Sequence, residues 1–264
     1  MPPLPPSPAG PAYDALAPAY DRFTHDYDHD GWLRRLEAVA RAEGLRPGAR
    51  VLDVGCGTGK SAAPLLARGY AVAACDLSEA MVRLARRRLG PQAEVFVADM
   101  RALDPRRGPF DLVTCLDDAV NYLADTADLE AAFAAARAVL APGGLYVFDV
   151  NTIGCYDGAY CGQFVVETAD ALFCWQGERP AAVVSGGRFR SRLDAFARER
   201  DGRWARTTSV HEQRHFSPAE VAAALQRAGL EVVRVLGQSA GAELHPVADE
   251  RRDLKRLTVA RRPA

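Results

Sequence analysis

The 264-residue chain has almost no net charge, no long hydrophobic run and no closely paired cysteines, and each absence removes a class of function. Thirty-three basic side chains face 34 acidic ones for a formal charge of −1, which leaves no global field to gather a polyanion. The local arginine clusters, Arg86-Arg87-Arg88 and Arg251-Arg252, fall on helical or turn-forming stretches without interleaved aromatics for base stacking, so no nucleic-acid partner is expected. The longest apolar runs, such as the one from Leu145 to Val150, are far too short to span a bilayer. The start Met-Pro-Pro-Leu-Pro-Pro has neither a basic nor an apolar signal region, so a cytoplasmic protein without membrane association is expected. Six cysteines and five histidines are present. No cysteine pair has CxxC spacing, so neither a disulfide scaffold nor a metal site is expected.

What is there is a soluble globular composition, 48% hydrophobic and 25% charged, with a change of rhythm along the chain. Residues 1–11 contain six prolines and are expected to form a disordered leader. An aromatic helical lid is expected over 12–48, carrying Tyr13, Tyr20, Phe23, Tyr27 and Trp32 before Gly44 and Arg46-Pro47-Gly48 end it. Over 49–150 strands at 50–54, 70–75, 94–98, 110–116 and 144–149 alternate with helices near 60–68, 78–89 and 127–140, the pattern of an α/β domain with a mostly parallel sheet. Ser78 is expected to cap the second of these helices and Pro64 to disturb the first. After Asn151 the period becomes two: Phe164-Val-Val, Phe173-Cys-Trp175, Ala182-Val-Val184, Arg190 to Phe196 and Trp204 to Phe216 predict an antiparallel β insertion over 151–216. The remaining residues, 217–264, return to the core with a capped helix from Ser217 and strands at 230–236 and 256–261.

The most informative stretch is Val51-Leu-Asp-Val-Gly-Cys-Gly-Thr-Gly-Lys60, followed by a strand ending at Asp76. A strand running into glycines at 55, 57 and 59 and then a helix is a nucleotide-binding βαβ unit. The spacing rejects phosphate ligands. The dinucleotide GxGxxG pattern would need its third glycine at 60, which is Lys60, and a P-loop ending at Gly59-Lys60-Ser61 would need a glycine at 54, which is Val54.

Asp53, Gly55, Gly57 and Gly59 instead resemble the DxGxGxG loop of class I S-adenosylmethionine (SAM) methyltransferases, whose fold is a Rossmann-like sheet ending in an antiparallel hairpin. The resemblance implies SAM as cofactor, with Asp53 ordering the loop and the methionine ammonium and Asp76 binding the ribose. Leu77 and Met81 would wall the adenine, Asp99 and Met100 would meet its edge, and Cys56 and Cys115, at strand ends, complete the cofactor contacts together with Trp32 in the lid. The stretch Asp117-Asp118-Ala-Val-Asn121-Tyr122-Leu123 lacks the Asn/Asp-Pro-Pro-Tyr of adenine and glutamine methyltransferases. With the Tyr13-to-Asp21 segment and His211-Glu212-Gln213-Arg214-His215-Phe216, it is similar to small-molecule methyltransferases, including uncharacterised bacterial ones and sugar N-methyltransferases of antibiotic pathways.

The expected chemistry is methyl transfer to a nitrogen of a small metabolite. Tyr20 would close over the cofactor, Asp117 and Asp118 would hold or deprotonate the acceptor, and His211 offers an alternative base near neutral pH. An O-methyltransferase, a nicotinamide oxidoreductase and a SAM-binding protein without turnover stand as alternatives. The insertion either shapes the acceptor pocket or makes a homo-oligomer contact.

Overall fold

The structure, a computed structural model, describes residues 7–264. The first six residues of the expected leader lie outside the described residues. Its end is corrected: helix α1 (Ala9–Phe23) starts directly after Pro8, with Ser7 Oγ accepting from the Ala9 amide at 3.3 Å, and Pro11 fits because the first turn of a helix needs no amide donors. Helix α2 (His29–Ala42) follows, capped by Asp28 accepting from the Gly31 amide at 2.9 Å.

The alternating core comprises β1 (Arg50–Val54), α3 (Ala62–Ala67), β2 (Ala71–Asp76), α4 (Glu79–Leu89), β3 (Glu94–Val97), β4 (Phe110–Cys115), α5 (Thr126–Val139) and β5 (Leu140–Asn151). Ser78 caps α4 by accepting from the Met81 amide. Pro64 leaves α3 intact because it sits in that helix's first turn. A single turn, α6 (Ile153–Cys155), leads into a second sheet of β6 (Gln163–Thr168), β7 (Ala171–Gly177), β8 (Arg188–Arg198) and β9 (Trp204–Arg214). This sheet is a four-stranded antiparallel meander. Residues 182–184 do not form the expected strand. They belong to the connection between β7 and β8, and Val184 is exposed there, with nothing to bury its side chain. Helix α7 (Pro218–Ala228), opened by a Ser217–Glu220 capping box, precedes β10 (Glu231–Gln238), β11 (Leu244–His245) and β12 (Lys255–Arg261).

The main sheet has the order β11-β10-β12-β5-β4-β1-β2-β3. Strands β1 to β5 run parallel and β12 enters antiparallel to β5. Parallel strands bury both faces, which is why β1 reads as an unbroken apolar run around one acid. Leu52 and Val54 pack toward Phe133 and Leu225 of α5 and α7. Val51 packs on the other side with Trp32, Leu65, Val82 and Leu89 of α2, α3 and α4. Strand order reverses between β1 and β4, and at such a reversal the loops beyond the carboxyl ends diverge and leave a crevice.

Candidate active site

That crevice is the pocket, floored by the loop after β1. Gly55, Gly57 and Gly59 have φ values of +70°, +53° and +83°, a region in which side chains are strained. A Cβ on Gly55 would also stand 3.1 Å from that of Ala119. Asp76, at the end of β2, clasps the loop: Oδ2 accepts from the Gly57 amide and Oδ1 from the Ser78 amide, both at 2.8 Å. Burial pushes its pKa up, opposed by these amide bonds. Each oxygen keeps further acceptor capacity on the pocket side. Leu77, Cys56, Asp99 and Met100 also line the pocket. Asp99 chelates Arg101, with distances of 2.7 to 3.1 Å, and Arg101 reaches Asp128 at 3.1 Å, so this wall is already charge-compensated.

Helix α1 lies across the opening and places Tyr13 and Tyr20 in the lining. Asp14 accepts from the Ser78 hydroxyl at 2.5 Å and the Ala80 amide at 3.1 Å. Asp21 accepts from Thr58 Oγ1 at 2.6 Å and pairs with Arg88, while Lys60 Nζ donates to Thr24 O at 2.9 Å and Thr24 Oγ1 at 2.8 Å. The helix is thus fastened at both ends to the elements that carry the loop. Its opposite face, Leu16 and Ala19, packs on Phe173, Leu193 and Ala195 of the second sheet. The sequence held a signal for this: Tyr13-Asp14 and Tyr20-Asp21 are seven residues apart, two helical turns, and so lie on the same side.

The end of β4 carries an uncommon backbone. Asp117 and Asp118 have φ values of +55° and +54°, strained for consecutive non-glycine residues. Asp149, fully buried on β5, holds both: Oδ2 accepts from the Asp117 amide at 2.8 Å and Oδ1 from the Asp118 amide at 2.6 Å. Lys255, from β12, stands among the three acids at 3.0 Å from Asp118, 3.3 Å from Asp117 and 3.4 Å from Asp149. Burial disfavours the Lys255 ammonium, but the three carboxylates more than compensate and push its pKa up. Asp149 is also raised, because burial outweighs its share of one ammonium divided among three acids. The elbow turns the two aspartates apart. Asp117 lines the pocket and accepts from Tyr27 Oη at 3.4 Å, whereas Asp118 is taken up by Lys255 and the Gln213 amide. Neither Lys255 nor Asp149 carries a local motif, and sequence reasoning passed over both.

Several expected contacts are corrected. Trp32, Met81 and Cys115 are at most 1% exposed and do not line the pocket; Trp32 and Cys115 pack into the two apolar layers on either side of the main sheet. Asp53 lies beneath the loop, where Oδ2 accepts from Ser61 Oγ at 2.5 Å and Oδ1 from Thr114 Oγ1 at 2.8 Å. It orders the loop without facing the pocket, and burial raises its pKa to about 6 despite those two bonds. Gly59 turns toward Leu89 and Ala85 instead of the cavity. His211 is also outside the lining. Its Nδ1 is 2.9 Å from Tyr122 Oη and its Nε2 is 2.9 Å from Ser209 Oγ, and burial lowers its pKa to about 4. His211 therefore offers the pocket no free imidazole, and Asp118 is likewise committed to partners.

The lining suits a cationic, phosphate-free ligand. Lys60, the one residue that imitates a P-loop, spends its ammonium on Thr24 and the Asp21 carbonyl, while Asp76, Asp99 and Asp117 line the cavity. A pyrophosphate would meet carboxylates, and the sulfonium and ammonium of SAM would be attracted. Comparison with known proteins agrees. A methyltransferase domain family matches residues 51–144. Malonyl-[acyl-carrier protein] O-methyltransferase of Geobacter sulfurreducens is 33% identical over 86% of this chain and 74% of its own. The sugar N-methyltransferase KedS8 from Streptoalloteichus sp. ATCC 53650 is 29% identical, covers 93% of both chains and superposes with a TM-score of 0.74. The amino pentose methyltransferase CalS10 from Micromonospora echinaspora, solved with SAM bound, is 28% identical over 99% of both chains with a TM-score of 0.67. The nicotinamide and non-catalytic alternatives give way, and the chain belongs to the class I SAM-dependent methyltransferases of the small-molecule type.

Proposed function

We propose that the protein methylates an amino nitrogen of a small metabolite, in the manner of natural-product tailoring enzymes. The observation that carries this reading is the elbow after β4, which turns one acid into the pocket inside a cluster of three carboxylates and one ammonium. Such a cluster attracts a protonated amine and repels a carboxylate or phosphate. An amine near pKa ~10, by analogy with lysine, must shed a proton before its lone pair can attack. On this reading Asp117 accepts that proton in place of Asp118 or His211, supported by its position in the pocket lining while the other two are held by partners outside it. Bound SAM supplies an electrophilic methyl on a sulfonium. Asp76 would take the ribose hydroxyls, Leu77 and Met100 would flank the adenine and Asp99 its amine, while Tyr13 and Tyr20 exclude water. The sugar N-methyltransferase similarity supports nitrogen as the target.

A second reading, O-methylation, is favoured by the similarity to an O-methyltransferase. Its acceptor there would be a hydroxyl, since a carboxylate would face the acidic cluster. Amino sugars and their hydroxyl counterparts incubated with the protein and SAM separate the two by mass gain of one methyl. Products from hydroxyl acceptors alone would overturn the nitrogen reading. With an active amine, Asp117→Asn is expected to lower turnover roughly 10²- to 10⁴-fold with little change in SAM affinity.

A further inference from the structure

A chain of hydrogen bonds leads from the pocket into the second sheet. Tyr13 Oη, on the pocket wall, lies 3.0 Å from Tyr122 Oη, which also lines the pocket. Tyr122 Oη is 2.9 Å from His211 Nδ1, and His211 Nε2 is 2.9 Å from Ser209 Oγ. Around the imidazole are the rings of Trp175, stacked at 5.6 Å, and of Tyr13 and Tyr122. His211 is 2% exposed with no ion-pair partner among the described residues. It is therefore neutral, with one ring N–H and one lone pair.

Two directions could satisfy these contacts, and donor strength selects one. A phenol O–H is far more acidic than a neutral imidazole N–H, so the better pairing gives the Tyr122 proton to the Nδ1 lone pair and the Nε2 proton to Ser209. Having donated inward, the Tyr122 oxygen accepts the Tyr13 hydroxyl proton. The Tyr13 oxygen is then left with lone pairs and no proton to offer on the pocket side.

We propose that His211 is a positioning residue that acts through Tyr122 to make Tyr13 a hydrogen-bond acceptor for the N–H of the methyl acceptor. The bond would orient the nitrogen so that its lone pair faces the methyl group, and it selects acceptors that carry an N–H. This rests on the amine reading above, with Asp117 as the proton acceptor and the tyrosine pair as the aiming device. Without His211 both hydroxyls can reverse, and Tyr13 can then turn its own O–H toward the nitrogen.

The direction of the chain is tested first, without any acceptor. Nitrogen-15 spectra of ring-labelled histidine, with His211→Phe identifying the resonance, are expected to show an unprotonated Nδ1 and a protonated Nε2. The opposite tautomer would overturn the proposal whichever acceptor the enzyme uses, which separates its failure from that of the amine reading. Kinetics then use the amine that gains a methyl in the acceptor screen. His211→Phe and Tyr122→Phe should each lower kcat/KM for that amine roughly 10- to 100-fold, the range for a hydrogen bond to a charged group, since the nitrogen becomes cationic as it attacks, with SAM affinity unchanged. The double variant should be no worse than either single one. His211→Asn, which sets an amide oxygen near the place of Nδ1, should recover most of the loss. Additive single effects, or an Asn variant no better than Phe at equal melting temperature, would mean that His211 only fills space.

Discussion

Replacing Lys255 by Met keeps the side-chain stem and removes the ammonium from the centre of three acids. The nitrogen is 3.0 to 3.4 Å from Asp118, Asp117 and Asp149, and its side chain is 14% exposed. At ~3.3 Å and an effective dielectric of ~20, each attraction is about 5 kcal/mol before desolvation and acid–acid repulsion are set against it. Breaking one partner out of a buried ion pair typically costs about 3–5 kcal/mol, and that loss of stability is expected here near pH 8. The sign of the pH dependence follows from Asp149. Burial already holds its folded pKa above the usual carboxylate range, with Lys255 pulling the other way. A raised acid contributes stability that is full at low pH and is lost as pH rises through the folded pKa. Removing Lys255 raises that pKa further, so the variant keeps this contribution to higher pH. The gap from wild type should therefore shrink on acidification, by up to about 1.4 kcal/mol per pH unit, across the window where Asp149 is protonated only in the variant. Urea unfolding at half-unit steps from pH 8 to pH 5 measures it. A gap that stays constant across that range would refute the shared-ammonium account, and a gap below about 1 kcal/mol, the level of a surface pair, would refute the burial argument.

Trp32→Ala should cost about 3–5 kcal/mol of stability, as for other large buried side chains, yet leave SAM affinity unchanged by calorimetry below the melting transition; a selective loss of affinity would return Trp32 to the cofactor. Asp21→Ala removes the acceptor for Thr58 and Arg88 at the end of α1. Because that pair is partly exposed, stability should change little, while stopped-flow measurement should find SAM leaving faster; an unchanged off-rate would mean that α1 does not retain the cofactor.

The sequence by itself determined the βαβ unit, the rejection of phosphate ligands and the change from parallel core to antiparallel meander. These rest on local requirements: left-handed turns need glycine, Ser78 and Ser217 need only a neighbouring amide to cap, and a period of two announces a half-buried strand. Asp76 was legible for the same reason, as the acid ending a strand beside that loop. Tertiary structure alone decided which residues of the right type reach the pocket. Met81 and Leu77 are four positions apart, but Met81 is fully buried outside the lining and only Leu77 meets the cavity. Asp117 and Asp118 are adjacent and chemically identical. Their roles divide because Asp149 and Lys255, 31 and 137 positions beyond Asp118 in the chain, fix the elbow between them. His211 has an ordinary sequence setting, and only the enclosure by Tyr13, Tyr122 and Trp175 makes it a neutral, buried ring. Spacing records what the backbone needs locally, whereas burial and ion pairing depend on which distant strand arrives alongside.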